Sequence, residues 1–343
     1  MITISVCMIV KNEEKVLARC LDSLAGLWEE LIIVDTGSTD KTKEIASKYT
    51  DKIYDFSWTG NFSDARNFSF SKASCNYIYA ADADEVLDEK NREKFYILKN
   101  ALDADSEIEI VQMYYGNQLS QDSIYNFDKE YRPKLYKRLR SFKWQEPIHE
   151  AVRLEPVVFD SDIVIFHKPH GQHSERDLSY FEKMLGEGQI LSQRMQDIYL
   201  RELYFAGDRH NLKTGHDFLL QLIMSESQDS DVFQKAVAIL CKEARILKQD
   251  SDILKYSLKG VASQGCSELC MELGHYFYEK EDWEEASIWY YNAAYETICL
   301  MSLKAATSEP LSRLVTCYEK LGMPQVAKEY QEQLLAYEQS KVQ

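Results

Sequence analysis

Three carboxylates follow directly on an apolar segment, and this junction could hold a metal ion. Residues 76–79 are rich in Tyr and Ile, which is typical of a buried strand, and they run into Asp82, Ala83, Asp84 and Glu85. Because side chains alternate along an extended chain, Asp82 and Asp84 lie on the same side. Such charge is costly without a cation, and hard oxygen ligands suit Mg²⁺ or Mn²⁺. The alternatives are that Asp84 only caps a helix starting near Glu85, or that the run is a solvated turn.

The elements before this junction alternate between strands and helices. Apolar runs at residues 2–10, 30–35, 51–56 and 76–79 predict four strands, and helices are expected after Asn12, which would cap the first of them, and near 61–73. This alternation predicts a doubly wound α/β sheet, in which ligands bind at the carboxyl ends of strands. Asn12, Asp35 and the acidic stretch all fall at such ends.

A different pattern follows residue 100. Runs at 109–115, 132–138 and 157–167 predict added strands of a mixed sheet, and the basic residues between 132 and 143 are either a solvated face or an attraction for an anionic substrate. From about residue 175 the chain is helical, and residues 270–293 match the 34-residue tetratricopeptide pattern. The small and aromatic packing positions of that pattern are Leu273, Gly274, Phe277, Ala286, Tyr290 and Ala293, with looser copies at Leu314, Tyr318 and Ala327 and at Leu200 and Tyr204.

Length and composition set the domain count and the class. A chain of 343 residues predicts about two domains, and the patterns divide it into 1–174 and 175–343. The net charge of −16 argues against a nucleic-acid binder. The eight cysteines show no Cys-x-x-Cys spacing, so we expect reduced core thiols in a cytoplasmic protein. The N-terminus lacks a basic leader, and no apolar run approaches the roughly 18 residues of a membrane span.

Five motifs, taken in order, resemble family 2 glycosyltransferases with the GT-A fold. They are VCMIVKNEE at 6–14, IVDTGSTDKT at 33–42, FSDARN at 62–67, DADE at 82–85 and WQEPIHE at 144–150. The last resembles the subgroup that carries tetratricopeptide-like helices after the catalytic domain. Some members of that subgroup glycosylate peptides, including cysteine thiols of bacteriocins. The resemblance covers the first half of the chain well. In the helical half it extends only to the type of helical repeat.

The resemblance implies a UDP-sugar as the donor. Residues from Val10 to Asn12, with the adjoining Glu13, and Asp35 would receive the uracil. Asp35 suits this chemically, because a carboxylate can accept the uracil N3–H hydrogen bond. The competing role for Asp35, capping the following helix, is already served by residues 38–40.

The same resemblance assigns the diphosphate and metal contacts. Arg66 would lie near the diphosphate, and a charged Arg in an otherwise apolar helix needs an anion, either a phosphate or Asp82. Asp82 and Ala83 would contact the ribose or a metal-bound water, and Asp84 would hold Mn²⁺ or Mg²⁺. His167, at the end of a predicted strand, is the further metal ligand, with His170 second and a structural role as the alternative.

Inverting transfer needs a base on the face opposite the leaving UDP. Glu150 is the candidate, with His149 orienting it or contacting the donor; Glu146 and Glu85 are alternatives. A thiol acceptor would depend less on the base, because a thiol ionises near about pH 8.5.

These features together predict a metal-dependent transferase that moves a hexose from a UDP-sugar to a peptide or protein. The alternatives are a saccharide acceptor, either a cell-surface polysaccharide or a lipopolysaccharide core, and an inactive nucleotide-sugar or peptide-binding protein. A nucleotidyltransferase is disfavoured, because no glycine-rich loop follows the first strand. The helical half serves either as a scaffold, including a homodimer interface, or as a grip on a peptide.

Overall fold

The structure is a computed structural model that describes residues 2–102, 107–116, 130–138, 144–145, 151–152, 157–167 and 174–340. The described residues up to His167 form one compact unit, and those from Ser174 onward form a second. All eight cysteines are free thiols and six are buried, as the sequence predicted. None of the helices in the described ranges is long and apolar enough to cross a membrane.

The first unit is built on parallel strands that alternate with helices. The elements are β1 (Ile4–Val10), α1 (Leu17–Leu24), β2 (Glu30–Asp35), α2 (Thr42–Ala46), β3 (Ile53–Asp55), α3 (Phe62–Lys72) and β4 (Tyr77–Ala81). These strands lie side by side in the order β3-β2-β1-β4, and every pair among them is parallel. The predicted doubly wound arrangement is therefore confirmed.

The sheet then becomes mixed. The next elements are β5 (Glu85–Val86), α4 (Glu89–Ala101), β6 (Ile110–Gly116), β7 (Glu130–Lys137), β8 (Trp144–Gln145), β9 (Ala151–Val152) and β10 (Val158–His167). Strand β7 runs antiparallel between β4 and β6, and β5 pairs antiparallel with β10 at the far edge. β8 and β9 form a separate two-stranded sheet. The three later strands that the sequence predicted are present.

The sheet is buried on both faces because its strands alternate apolar side chains to either side. Met8 of β1 lies in the cluster that also holds Leu17 of α1 and Tyr79 of β4. Cys7, the next residue, lies in the opposite cluster with Ile32. A sheet covered by helices on both faces exposes its chemistry only at strand ends.

Two helix starts differ from the sequence prediction. Asn12 does not cap the first helix: α1 begins at Leu17, while Asn12 has φ 58°. Asn is one of the few side chains that tolerate this left-handed backbone, so the residue serves a turn instead. Likewise no helix starts at Glu85, which begins β5, and the N-cap of α4 is Asp88. The helix-cap alternative for Asp84 is therefore wrong.

The described residues of the second unit form helices joined by short turns. Its helices are α5 (Ser174–Gly186), α6 (Gln193–Ala206), α7 (Arg209–Ser225), α8 (Asp231–Leu247), α9 (Asp250–Val261), α10 (Ser267–Glu279), α11 (Trp283–Tyr291), α12 (Ser308–Lys320) and α13 (Pro324–Ser340). A π-helical turn (Asn292–Glu296) and a 3₁₀ turn (Leu303–Ala306) join α11 to α12. The positions of the predicted repeat are packed, since Ala286, Tyr290 and Ala293 are all fully buried.

Candidate functional site

The register of the parallel strands brings three strand ends to one edge of the sheet. Val10, the last residue of β1, is the partner of Asp35, the last residue of β2. Met8 of β1 is the partner of Ala81, the last residue of β4, so the acidic stretch begins beside the end of β1. Residues distant in sequence are thereby gathered where α/β sheets bind ligands.

Asp35 has one occupied and one unoccupied carboxylate oxygen. The residue is 2% exposed, and its Oδ1 accepts hydrogen bonds from the backbone N–H groups of Gly37 and Ser38, both at 2.9 Å. Its Oδ2 is buried and has no hydrogen-bond partner among the residues that the structure describes. Asp40 accepts from the N–H of Thr42 at the start of α2, so the cap role lies there. A buried acceptor without a partner costs free energy, and a ligand N–H group would satisfy it.

The loop after β1 is fastened to the loop after β2. The N–H of Asn12 donates to Ser38 Oγ at 2.9 Å, and Asn12 Oδ1 accepts from the N–H of Thr39 at 2.8 Å. The N–H of Glu13 donates to Thr42 Oγ1 at 2.7 Å. Asn12 and Glu13 thus help to fix the loop next to Asp35.

Asp82 is held by two cations. Arg66 of α3 donates to its Oδ1 at 2.8 Å, which is one of the two pairings that the sequence left open for Arg66, and Lys134 of β7 donates to its Oδ2 at 3.2 Å. Burial opposes ionisation, but the charges of Lys134 and Arg66 outweigh it and lower the pKa of Asp82. The Asp82 carboxylate is therefore ionised, and its side chain remains 34% exposed.

Lys134 and Glu85 complete this network, and neither role was predicted from the sequence. Lys134 is 5% exposed rather than solvated, and its Nζ also pairs with Glu85, which is 3% exposed. Burial raises the pKa of Glu85, and the Lys134 charge opposes this rise. With both partners buried, Glu85 is not exposed to an acceptor, which argues against it as the base. The sequence carried little signal for this role, because Lys134 is one of three basic residues in β7.

Arg66 rests on an aromatic platform. Its guanidinium lies 4.9 Å from the ring centre of Trp144, a distance typical of a cation–π contact. Asn67, the next residue of α3, fixes Trp144 with two hydrogen bonds: it donates to the Trp144 carbonyl at 3.0 Å and accepts from its N–H at 2.8 Å. The first residue of the WQEPIHE motif is thereby joined to the last residue of the FSDARN motif.

The strand pairing places the backbone of His167 beside the residue that follows Asp84. Asp84 is half-buried in the turn between β4 and β5, and His167 at the end of β10 is the strand partner of Glu85. Among the side chains that the structure describes, no group of three or more His, Cys, Asp or Glu could hold a metal ion. Mg²⁺ is usually held by one or two carboxylates together with substrate phosphates, so Asp84 with a diphosphate fits its chemistry. Both oxygens of Asp82 are already in ion pairs, with Arg66 and with Lys134.

The predicted catalytic residues lie outside the described residues. Glu150, His149 and Glu146 all fall between β8 and β9, and His170 follows β10. The described residues on either side of the 146–150 segment are paired, Trp144 with Val152 and Gln145 with Ala151.

Comparison with known proteins gives the family of the first unit. Residues 5–153 match the model of glycosyl transferase family 2. A TPR repeat-containing protein of Synechococcus elongatus is 32% identical over 44% of this chain and 36% of its own length. Glycosyltransferase SunS, from the SPbeta prophage of Bacillus subtilis, is 26% identical over 70% of this chain and 58% of its own. The chain thus spans less than two thirds of the length of these relatives.

A third relative and one solved structure are also similar to this chain. The lipopolysaccharide core biosynthesis glycosyltransferase LpsC of Rhizobium meliloti is 34% identical over 31% of this chain and 39% of its own length. Glucosyl-3-phosphoglycerate synthase of Mycobacterium tuberculosis, in complex with Mn²⁺ and UDP-glucose, has a TM-score of 0.40 at 16% identity, covering 56% of this chain and 81% of that one. The family match, together with the motifs and the sheet, identifies residues 5–153 as a family 2 glycosyltransferase domain.

Proposed function

We propose that this chain transfers a hexose from a UDP-sugar to an acceptor, with Mn²⁺ or Mg²⁺ bound at Asp84. The observation that carries the proposal is the buried, unpartnered Oδ2 of Asp35 at the edge where β1, β2 and β4 end. Uracil offers a donor at N3, whereas cytosine has an acceptor there, so a carboxylate oxygen selects uracil.

The charges of the site support a diphosphate donor. The Arg66 side chain is 12% exposed, and its guanidinium lies over the Trp144 ring and is already paired with an anion, Asp82. A phosphate oxygen is a stronger partner for a guanidinium than a shared carboxylate, so the donor would compete for Arg66. A metal ion at Asp84, with His167 as its further ligand, would neutralise the charge that develops as UDP leaves.

Glu150 is the proposed base, oriented by His149. In this role it takes the acceptor's proton as the acceptor oxygen or sulfur attacks the anomeric carbon, and UDP departs on the opposite face.

A peptide or protein is the proposed acceptor. The helical unit contains a packed tetratricopeptide-like pair, and a relative is named as a TPR repeat-containing protein. Stacked helix pairs commonly form extended binding surfaces. The second candidate is a lipopolysaccharide core sugar, which the name of the LpsC relative favours.

The experiment is nucleotide binding with Mn²⁺, measured by calorimetry and thermal unfolding for UDP, CDP and GDP and then their sugars. We expect UDP alone to stabilise the protein, by about 2.7 kcal/mol at a hundredfold excess over its dissociation constant. Turnover of the UDP-sugar that binds then separates an enzyme from an inactive binding protein. If none of the nucleotides or nucleotide sugars raises the unfolding temperature, the proposal is refuted.

Asp35→Asn is the sharpest variant for this test. The N–H groups of Gly37 and Ser38 need the amide oxygen, which turns the Asn Nδ2 toward the position of Oδ2. A donor there opposes uracil N3–H and suits cytosine N3. We expect UDP affinity to fall roughly tenfold or more and the preference to move toward CDP. An unchanged UDP-to-CDP ratio would show that Asp35 does not read the base.

A further inference from the structure

Lys134 uses all of its hydrogen-bonding capacity on the end of β4 and the acidic stretch that follows it. Its Nζ donates to the Ala80 carbonyl at 3.3 Å, to Asp82 Oδ2 at 3.2 Å and to Glu85 Oε1. An ammonium group has three protons, so these three acceptors account for all of them. The group is buried, yet Asp82 and Glu85 raise the pKa of Lys134 against the effect of burial, and it stays charged.

The acceptors of Lys134 also hold one another. Glu85 Oε2 accepts from the N–H of Asp82 at 3.2 Å, and the N–H of Glu85 donates to the Asp82 carbonyl at 3.1 Å. The thiol of Cys20 donates to the same carbonyl at 3.3 Å. Lys134 therefore restrains Asp82 twice, once directly and once through Glu85, and closes the turn that contains Ala83 and Asp84.

We propose that Lys134 is a positioning residue of the donor site, which holds Asp82 and the turn at Asp84 in the geometry that the UDP moiety requires. The inference rests on the proposed function. Arg66 and Lys134 bind different oxygens of Asp82. When a diphosphate draws Arg66 away from Oδ1, Lys134 remains on Oδ2, so Asp82 keeps both its charge balance and its orientation toward the ribose.

The competing explanation is a purely structural ion pair between Lys134 and Glu85. Replacing both members of a buried pair by neutral side chains of similar volume is often tolerated, whereas removing one partner leaves an uncompensated buried charge. The double variant Lys134→Met with Glu85→Gln therefore separates the two explanations. It removes both charges, and the introduced glutamine amide keeps an acceptor for the Asp82 N–H.

The test compares thermal unfolding and UDP affinity, with Mn²⁺ present, in wild type, Lys134→Met, Lys134→Arg and the double variant. We expect Lys134→Met to lower the unfolding temperature and the double variant to restore it. The double variant should still bind UDP roughly tenfold or more weakly, since Asp82 has lost a hydrogen bond to a charged group. Lys134→Arg, which keeps a cation between the two carboxylates, should recover most of the affinity.

Two controls separate the possible failures. Lys137→Met changes the last lysine of β7, which pairs with Tyr77. This variant should bind UDP as wild type does. A double variant with both wild-type stability and wild-type UDP affinity would overturn the inference, because the pair would then be only structural. A wild-type protein that binds no UDP would instead remove the proposed function, and with it this inference.

Discussion

Asn67 and Trp144, 77 residues apart in sequence, are joined by two reciprocal hydrogen bonds between the Asn side chain and the Trp backbone. Trp144 packs in turn against Phe70 and Tyr136, and it carries the Arg66 guanidinium on its ring. These hydrogen bonds link helix α3, which carries Arg66, to strand β8, which precedes the proposed base Glu150 in sequence.

Asn67→Ala should therefore weaken both stability and donor binding. Loss of the two bonds leaves the backbone N–H and carbonyl of Trp144 unsatisfied, which we expect to cost about 1–3 kcal/mol of unfolding free energy. UDP affinity should fall because the platform under Arg66 loosens. Urea unfolding and calorimetry measure the two effects. Asn100→Ala, on the exposed face of α4, is the control and should change neither; equal behaviour of the two variants would contradict the link between α3 and β8.

Asp84→Ala should abolish metal-dependent transfer and leave the fold intact. Asp84 is half-buried in a turn at a strand end, so its loss should change the unfolding free energy by no more than about 0.5 kcal/mol. Turnover of the UDP-sugar with Mn²⁺ should drop by about 10²–10³-fold, the scale of one lost electrostatic contact to the transition state. Asp51→Ala, an exposed carboxylate ahead of β3, is the matched control. Retained activity in the Asp84 variant would remove the metal assignment.

Glu150→Gln should leave UDP-sugar binding unchanged and slow transfer to a hydroxyl acceptor. Loss of a general base typically costs about 10²–10⁴-fold in rate, and a thiol acceptor should be affected less because it ionises more readily. Calorimetry and initial rates with both acceptor types separate the effects. If donor binding weakens together with turnover, Glu150 is a donor contact and the base lies elsewhere.

Gly274→Ala should destabilise the helical unit. A Cβ at Gly274 would lie 2.5 Å from the ring of Tyr290, which is fully buried and whose hydroxyl is bonded to His275 at 2.9 Å. The overpacking should cost about 1–3 kcal/mol, more than the roughly 1 kcal/mol that Ala gains over Gly in a helix. Gly186→Ala is the control, since nothing lies within 4 Å of its Cβ position. Thermal unfolding of both variants tests the packing, and equal stability of the two would contradict it.

The stabilising contribution of Glu30 to the free energy of unfolding should be lost in acid. Burial opposes its ionisation, but hydrogen bonds from Lys52, Ser5 and Ser74 lower its pKa to about 2. Because the folded-state pKa is below the unfolded one, this stabilisation is complete above about pH 4.5 and is lost as the pH falls toward about 2. Its size is on the order of 3 kcal/mol.

The measurement is urea unfolding of wild type and Glu30→Gln across this pH range. The difference between the two proteins should be largest near about pH 7 and shrink below about pH 4.5. A difference that does not vary with pH would mean that Glu30 contributes through packing alone.

The sequence by itself determined the order of elements and the ends where chemistry lies. Apolar runs and helical periodicity are local, so β1 to β4, the later strands and the helical unit could be read directly, and Asp35 and Asp82 were located at strand ends. The two candidate anions for Arg66, a phosphate or Asp82, followed from charge alone. The packing positions Ala286, Tyr290 and Ala293 followed from the spacing of one repeat.

The tertiary structure decided which side chains meet across long separations. Lys134 lies 52 residues from Asp82, and only the pairing of β7 with β4 buries it against the acidic stretch. The left-handed turn at Asn12 likewise depends on its hydrogen bonds to the loop after β2. Whether Asp35 Oδ2 has a hydrogen-bond partner depends on which donors the fold brings near it. Such contacts are fixed by strand order and packing, which periodicity along the chain does not encode.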